Sequence, residues 1–104
     1  MSRDPYLFLP GVVVLTGSVN EDLRNGLLLD PYIERHLCGD WGEVSPDDAE
    51  LNTKAVGEGL LVTDRVMSVY TTQHFGVLWI ITEPNHGGVL RTPVVTTVLH
   101  PNEY

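Results

Sequence analysis

The chain has 104 residues, 42% of them hydrophobic and 19% charged, with six Lys and Arg against fourteen Asp and Glu for a formal net charge of −8. That length suits one domain able to bury a real core, and that composition excludes wholesale disorder. Five arginines and the single Lys54 are too few for the diffuse phosphate neutralisation of broad nucleic-acid binding, although one or two arginines can still form a local anion site.

The β-branched run Gly11 to Thr16, bounded by Pro10 and Gly17, predicts a short strand. Ser18 or Asn20 then caps a brief helical segment, with Glu21 and Asp22 near its positive end and Gly26 interrupting it. A second helix is expected from Asp30-Pro31, with Ile33 and Leu37 on one face and Gly39 as its stop. Gly39-Asp40-Trp41-Gly42 makes a tight connection. Ser45-Pro46-Asp47-Asp48 is the clearest helix start, combining a cap residue, a proline and first-turn acids. The helix it opens carries Ala49, Asn52, Ala55 and Val56 on one side and ends near Gly57 or Gly59.

From there the period becomes extended. Leu60 to Val62, Arg65 to Thr71, Val77 to Glu83 and Val94 to His100 are rich in strand-forming residues and bounded by turns. Pro84 to Pro93, with Asn85, His86, two glycines and Arg91, is either a binding loop or a plain hairpin tip. Strand, helices, then strands predict a single α+β domain over residues 1–104: an antiparallel meander with two or three helices packed on one face.

No apolar run approaches a bilayer span, and no basic stretch leads into an apolar one at the N-terminus, so a cytoplasmic protein with no membrane partner is expected. Cys38 is the only cysteine, which excludes an internal disulfide and a multi-cysteine zinc knuckle, and it reads as a buried, inert thiol. His36, His74, His86 and His100 have no metal-ligand spacing, and no glycine pair has a phosphate-cradling pattern. Neither a metal nor a cofactor is expected. Nothing in the pattern fixes the oligomeric state, and an exposed strand edge would serve symmetric association.

The combination His36-x-x-Gly39-Asp40-Trp41-Gly42, Asp48 with Asn52, Arg65-x-x-Ser68-x-Tyr70, Leu78 to Glu83, Thr96 to Leu99 and Pro101-x-Glu103-Tyr104 resembles a small family carried on plasmids and phages. Its members go under labels such as plasmid-related or hypothetical protein, with no established activity. The resemblance spans residues 9–104 and departs in one place: the family arginine closely follows the Trp-Ile-Ile-Thr-Glu strand, whereas here the link is longer and Arg91 is its equivalent. The order of elements is also similar to the RelE/barnase/EndoU-like ribonuclease arrangement, a likeness of architecture only.

Two functional classes follow. The first is a mobile-element accessory protein that binds a protein with a basic surface, inhibiting or regulating a host defence or nucleic-acid-processing protein. Its contact residues would be Asp40, Trp41, Glu43, Asp47, Asp48 and Glu50, with Trp41 partly exposed and Trp79 packed. A solvated face that merely keeps the chain soluble is the plainer account of those acids. The second class is a metal-independent ribonuclease or a degenerate relative. His36 would be its acid or base, Arg65 or Arg91 its cation, and Ser68, Tyr70 and Thr97 (or Thr96) its hydroxyl donors. Alternation puts Ser68 and Tyr70 together, away from the apolar side of their strand. The plainer account of His36 is a helix C-terminal cation beside Trp41.

Overall fold

The computed structural model describes residues 6–57, 60, 62–84 and 94–104. Among them the elements run β1 (Val12–Leu15), α1 (Gly17–Arg24), α2 (Asp30–Leu37), α3 (Pro46–Ala55), β2 (Val66–Thr71), β3 (Val77–Glu83) and β4 (Val95–Leu99), then a 3-10 turn at Pro101–Glu103. The helix starts follow local chemistry. Pro31 sits in the first turn of α2, and the Ser45 hydroxyl accepts the Asp48 N–H at 3.1 Å to cap α3.

The four strands form one sheet in the order β1-β4-β3-β2. β2, β3 and β4 are antiparallel neighbours, as a meander requires, with Ser68 opposite Ile80 and Thr82 opposite Thr96. The expectation of a purely antiparallel sheet is corrected at β1, which runs parallel to β4 with Val12 opposite Val95. The physical reason is the helical layer: the chain crosses the sheet through α1, α2 and α3 before returning as β2, so β1 and β4 point the same way. Of the expected strand at Leu60 to Val62, Val62 forms an isolated bridge with Val56, and Leu61 lies outside the described residues.

The inward rows of the sheet are Val66, Ser68 and Tyr70 on β2, Leu78, Ile80 and Thr82 on β3, and Thr96 and Val98 on β4, all of them buried. Their apolar members divide into two clusters. One joins Val66 to Phe8, Leu37 and Trp41, and the other joins Tyr70, Leu78, Ile80 and Val98 to Val19 and Leu27. Each such aliphatic side chain contributes about 1.5–3 kcal/mol on burial. Ser68 stands between Val66 and Tyr70, so a polar seam separates the clusters.

The two edges of the sheet are treated differently. At β2, Asn52 of α3 reaches out as a substitute strand: its Oδ1 accepts the Met67 N–H at 3.0 Å and its Nδ2 donates to the Met67 carbonyl at 2.7 Å. Two residues on, the Val69 N–H donates to Trp41 O and Glu43 N–H donates to Val69 O. Gly42 permits that approach, since its φ is +73° and a Cβ there would lie 2.0 Å from Val69 O. At β1 the ladder has one neighbour, β4.

Candidate functional site: a buried hydroxyl and imidazole chain

α2 presents Ile33, His36 and Leu37 toward the sheet, the spacing of one helical face. That places the His36 ring, fully buried, over the polar seam. Its Nδ1 lies 2.6 Å from Ser68 Oγ and its Nε2 2.9 Å from Thr82 Oγ1. Thr82 Oγ1 lies 2.7 Å from Thr96 Oγ1, which in turn is 2.7 Å from the Pro10 carbonyl. Phe8 and Trp41 close over the ring edge-on, with centroids at 5.2 and 5.9 Å.

The last member fixes the direction of the bonds as far as the ring. A carbonyl only accepts, so the Thr96 hydroxyl donates to Pro10 O. Thr96 then accepts from Thr82, and Thr82 accepts from His36 Nε2–H. Burial lowers the His36 pKa to about 3, so the imidazole is neutral with its proton on Nε2. Its bare Nδ1 then accepts from the Ser68 hydroxyl. The expected helix-end cation is corrected accordingly: with the ring fully buried and both nitrogens committed to uncharged hydroxyls, a charge there would go uncompensated. Among the described residues every buried side-chain polar atom has a partner.

Ser68 and Tyr70 do stand together, but on the buried side, which corrects their expected exposure. Their polar atoms enter the core because each is satisfied: the Tyr70 hydroxyl donates to the Asp40 carbonyl at 2.5 Å. Burial pushes the Tyr70 phenol up to about 12. Thr97 does not join His36. It points to the opposite face, where it lines a cavity of about 210 Å³ with Arg65, Ile81, Glu83, Leu99 and Tyr104. Arg65 donates to the Tyr104 hydroxyl, whose ring packs edge-on against the half-buried Trp79 at 5.4 Å. His36 and Arg65 thus serve different faces of the sheet, and Arg91 lies outside the described residues. Thr82 was not among the expected donors, and Thr96 ranked only beside Thr97. Their signal was the even-numbered alternation Leu78, Ile80, Thr82, matched across the ladder by Thr96.

The acidic stretch is spread over several tasks. Asp40 pairs with Arg35 at 2.7 Å and accepts the Gly42 N–H, so its carboxyl is held below the usual range, chiefly by the Arg35 hydrogen bond. Arg35 in turn lies 4.5 Å over the Tyr70 ring. Glu43 accepts from the Thr71 hydroxyl. Trp41 is buried between Phe8 and His36, correcting its expected exposure, while Trp79 is the more open of the two tryptophans. The Trp41 indole is drawn inward because the Gly39 and Gly42 turns fold the connection back on the core. Asp47, Asp48 and Glu50 remain exposed on α3. Cys38 is half-buried rather than enclosed.

A second titratable cluster lies at the other end of the sheet. His100 Nδ1 is 2.7 Å from the Val77 carbonyl and Nε2 is 2.6 Å from Asp22 Oδ2, beside a cavity of about 460 Å³ that Ser18 also lines. Both partners are acceptors, so only the doubly protonated ring makes both bonds. Burial opposes that charge, but the Val77 carbonyl and the Asp22 carboxylate outweigh it, and the His100 pKa is raised. A ring so engaged has no free nitrogen to activate Ser18.

Among the described residues no group of three or more His, Cys, Asp and Glu is placed to hold a metal ion, and no helix is long and apolar enough to cross a membrane. In comparisons with protein-family models, curated proteins and solved structures, none matches the chain.

Proposed function

We propose that the protein acts by binding another macromolecule, a protein with a basic surface, and inhibits or regulates it as a mobile-element accessory factor. The observation that carries this reading is the outer side of α3. Leu51 is 62% exposed there, with Asp47 and Asp48 one turn before it and Glu50 beside it. An apolar anchor within a charged rim is the arrangement of protein interfaces, and the rim's sign repels a phosphate backbone. Glu50 pairs with Lys54 at 3.7 Å, but both are about 70% exposed, so that pair leaves Glu50 available. Asp40 and Glu43, held by Arg35 and Thr71, add field rather than contacts, and the mobile-element part of the proposal rests on the plasmid and phage resemblance. Weighing against catalysis, the convergent imidazole and hydroxyls are sealed from solvent and hydrogen-bonded throughout.

The test is affinity capture on the immobilised chain at low and high salt, repeated with a D47N/D48N/E50Q variant and with L51A. Basic proteins retained at about 0.05 M salt should be released by about 0.5 M, as charge screening shortens to a few ångströms. They should also be lost from both variants. Retention indifferent to salt and to both variants refutes the proposal. The alternative, a metal-independent ribonuclease or degenerate relative, rests on the meeting of His36 with Ser68 and Thr82. Cleavage of single-stranded RNA that His36→Ala abolishes would favour it.

A further inference from the structure

Among the described residues, one edge of the sheet is blocked and the other is open. Asn52 and the Trp41–Glu43 segment satisfy the outward backbone groups of β2 at Met67 and Val69. On β1, the Val12 N–H donates to Val94 O and the Thr16 N–H to Val98 O. Strand alternation therefore turns the N–H and C=O of Val13 and Leu15 away from β4. Val12, Val13 and Val14 are each 43–50% exposed, so both faces of this edge reach solvent, while Leu15 packs on the core. Within Val12–Leu15 there is no Lys, Pro or charged residue, the usual protections of an open edge.

We infer that β1 pairs with β1 of a second copy, antiparallel, giving one continuous eight-stranded sheet across a two-fold axis. Three features select a second copy as the occupant. Residues 11–20 contain no acidic or basic side chain, so a chain of net charge −8 can approach itself here. The acids from Asp40 to Glu50 belong to the β2 side, three strand spacings or about 14 Å away. The outward groups are also self-complementary. With Val13 opposite Leu15 of the other copy, both outward residues pair and four hydrogen bonds form about an axis through Val14. A register centred on Val13 would need Gly11 to be extended, and its φ is +64°. One centred on Leu15 would need Gly17, which is helical. The two Val14 side chains then meet as a non-hydrogen-bonded pair, their Cα atoms about 4.5 Å apart, on the open face of the sheet.

The experiment combines sedimentation equilibrium with cysteine cross-linking. The wild-type chain should sediment at twice its 11.5 kDa mass at concentrations up to about 1 mM, and V14K should sediment as a monomer with an unchanged circular dichroism spectrum. In a C38S background, V14C should oxidise to a covalent dimer, because its Cα separation falls in the disulfide range, while V13C should not. A wild-type chain that stays monomeric throughout that range overturns the proposal. So does V13C cross-linking as fully as V14C.

Discussion

Thr82→Val tests the directed chain through His36 most sharply. Valine matches threonine in shape, so the buried packing of β3 is kept and only the hydroxyl is lost. Two groups are then orphaned. His36 Nε2–H, 2.9 Å from that hydroxyl, has no other acceptor, and Thr96 Oγ1 loses the donor at 2.7 Å. An unsatisfied buried donor costs about 1–3 kcal/mol and the weaker acceptor loss adds to it, so the expected destabilisation is about 2–4 kcal/mol. For a domain of this size that is a large share of the roughly 5–15 kcal/mol available. Urea unfolding followed by tryptophan fluorescence reads it as a midpoint shift of about 1–3 M at unchanged slope. Thr82→Ser keeps the hydroxyl and should lose only about 1 kcal/mol for its missing methyl. A combined S68A/H36L/T82V chain, with the polar atoms removed together, should lose less than the sum of T82V and S68A measured singly. If Thr82→Val stays within about 0.5 kcal/mol of wild type, the hydroxyl is not an obligatory acceptor and the assigned bond directions are wrong.

Three further outcomes follow from the same geometry. The two buried-end histidines respond to pH with opposite signs. His36 is lowered from 6.5 to about 3, so the unfolded chain takes up its proton first, and stability falls as pH drops across that window by an amount on the order of 5 kcal/mol. His100 is raised, so its contribution is complete below the ordinary imidazole value and is lost as pH rises through its own higher pKa. Ring signals in NMR should show His36 fixed between about pH 8 and 5 while His100 titrates above 6.5; a His36 that titrates near 6.5 contradicts its burial. Gly42→Ala should cost well over 2 kcal/mol in thermal melts, because φ +73° and a 2.0 Å clash with Val69 O act together, whereas Gly76→Ala, at φ +77° with open space around it, should cost about 1–2 kcal/mol. Asn52→Ala removes both bonds to Met67, for about 2–4 kcal/mol, and light scattering should show concentration-dependent aggregation as the β2 edge opens. Equal scattering from wild type and variant would mean that the edge is protected elsewhere.

The local chemistry of the sequence was sufficient for much of the fold. Ser45-Pro46 marks the start of α3, and Val77 to Glu83 gives β3 with both ends correct, because caps and turns act over a few residues. The parallel pairing of β1 with β4 was not legible, since no local period records which distant strand a segment will join. Nor was the choice of buried face. In β3 both alternating rows, Leu78 and Ile80 against Trp79 and Ile81, are apolar, so alternation shows two faces without ranking them. In β2 the row with Ser68 and Tyr70 seemed the wetter, yet it is the inner one because His36 and the Asp40 carbonyl satisfy its hydroxyls. The reading of α2 put Ile33 and Leu37 on one face but left His36 as a helix-end cation, although its place three positions after Ile33 brings it onto that same buried face. Its partners Thr82 and Thr96 depended on sheet register, which only the folded chain defines.

The pairing of β1 with β4 also sets the order of events during synthesis. Val12 meets Val95, a residue made more than eighty positions later. At ordinary elongation rates of about 5–20 residues per second, the valine-rich strand spends on the order of ten seconds without its partner. The β2–β3 hairpin can form in the meantime, because those strands are joined by a short turn and need no distant segment. β1 therefore cannot pair until β4 has been made, and the newly made chain carries that valine-rich stretch without its partner until then.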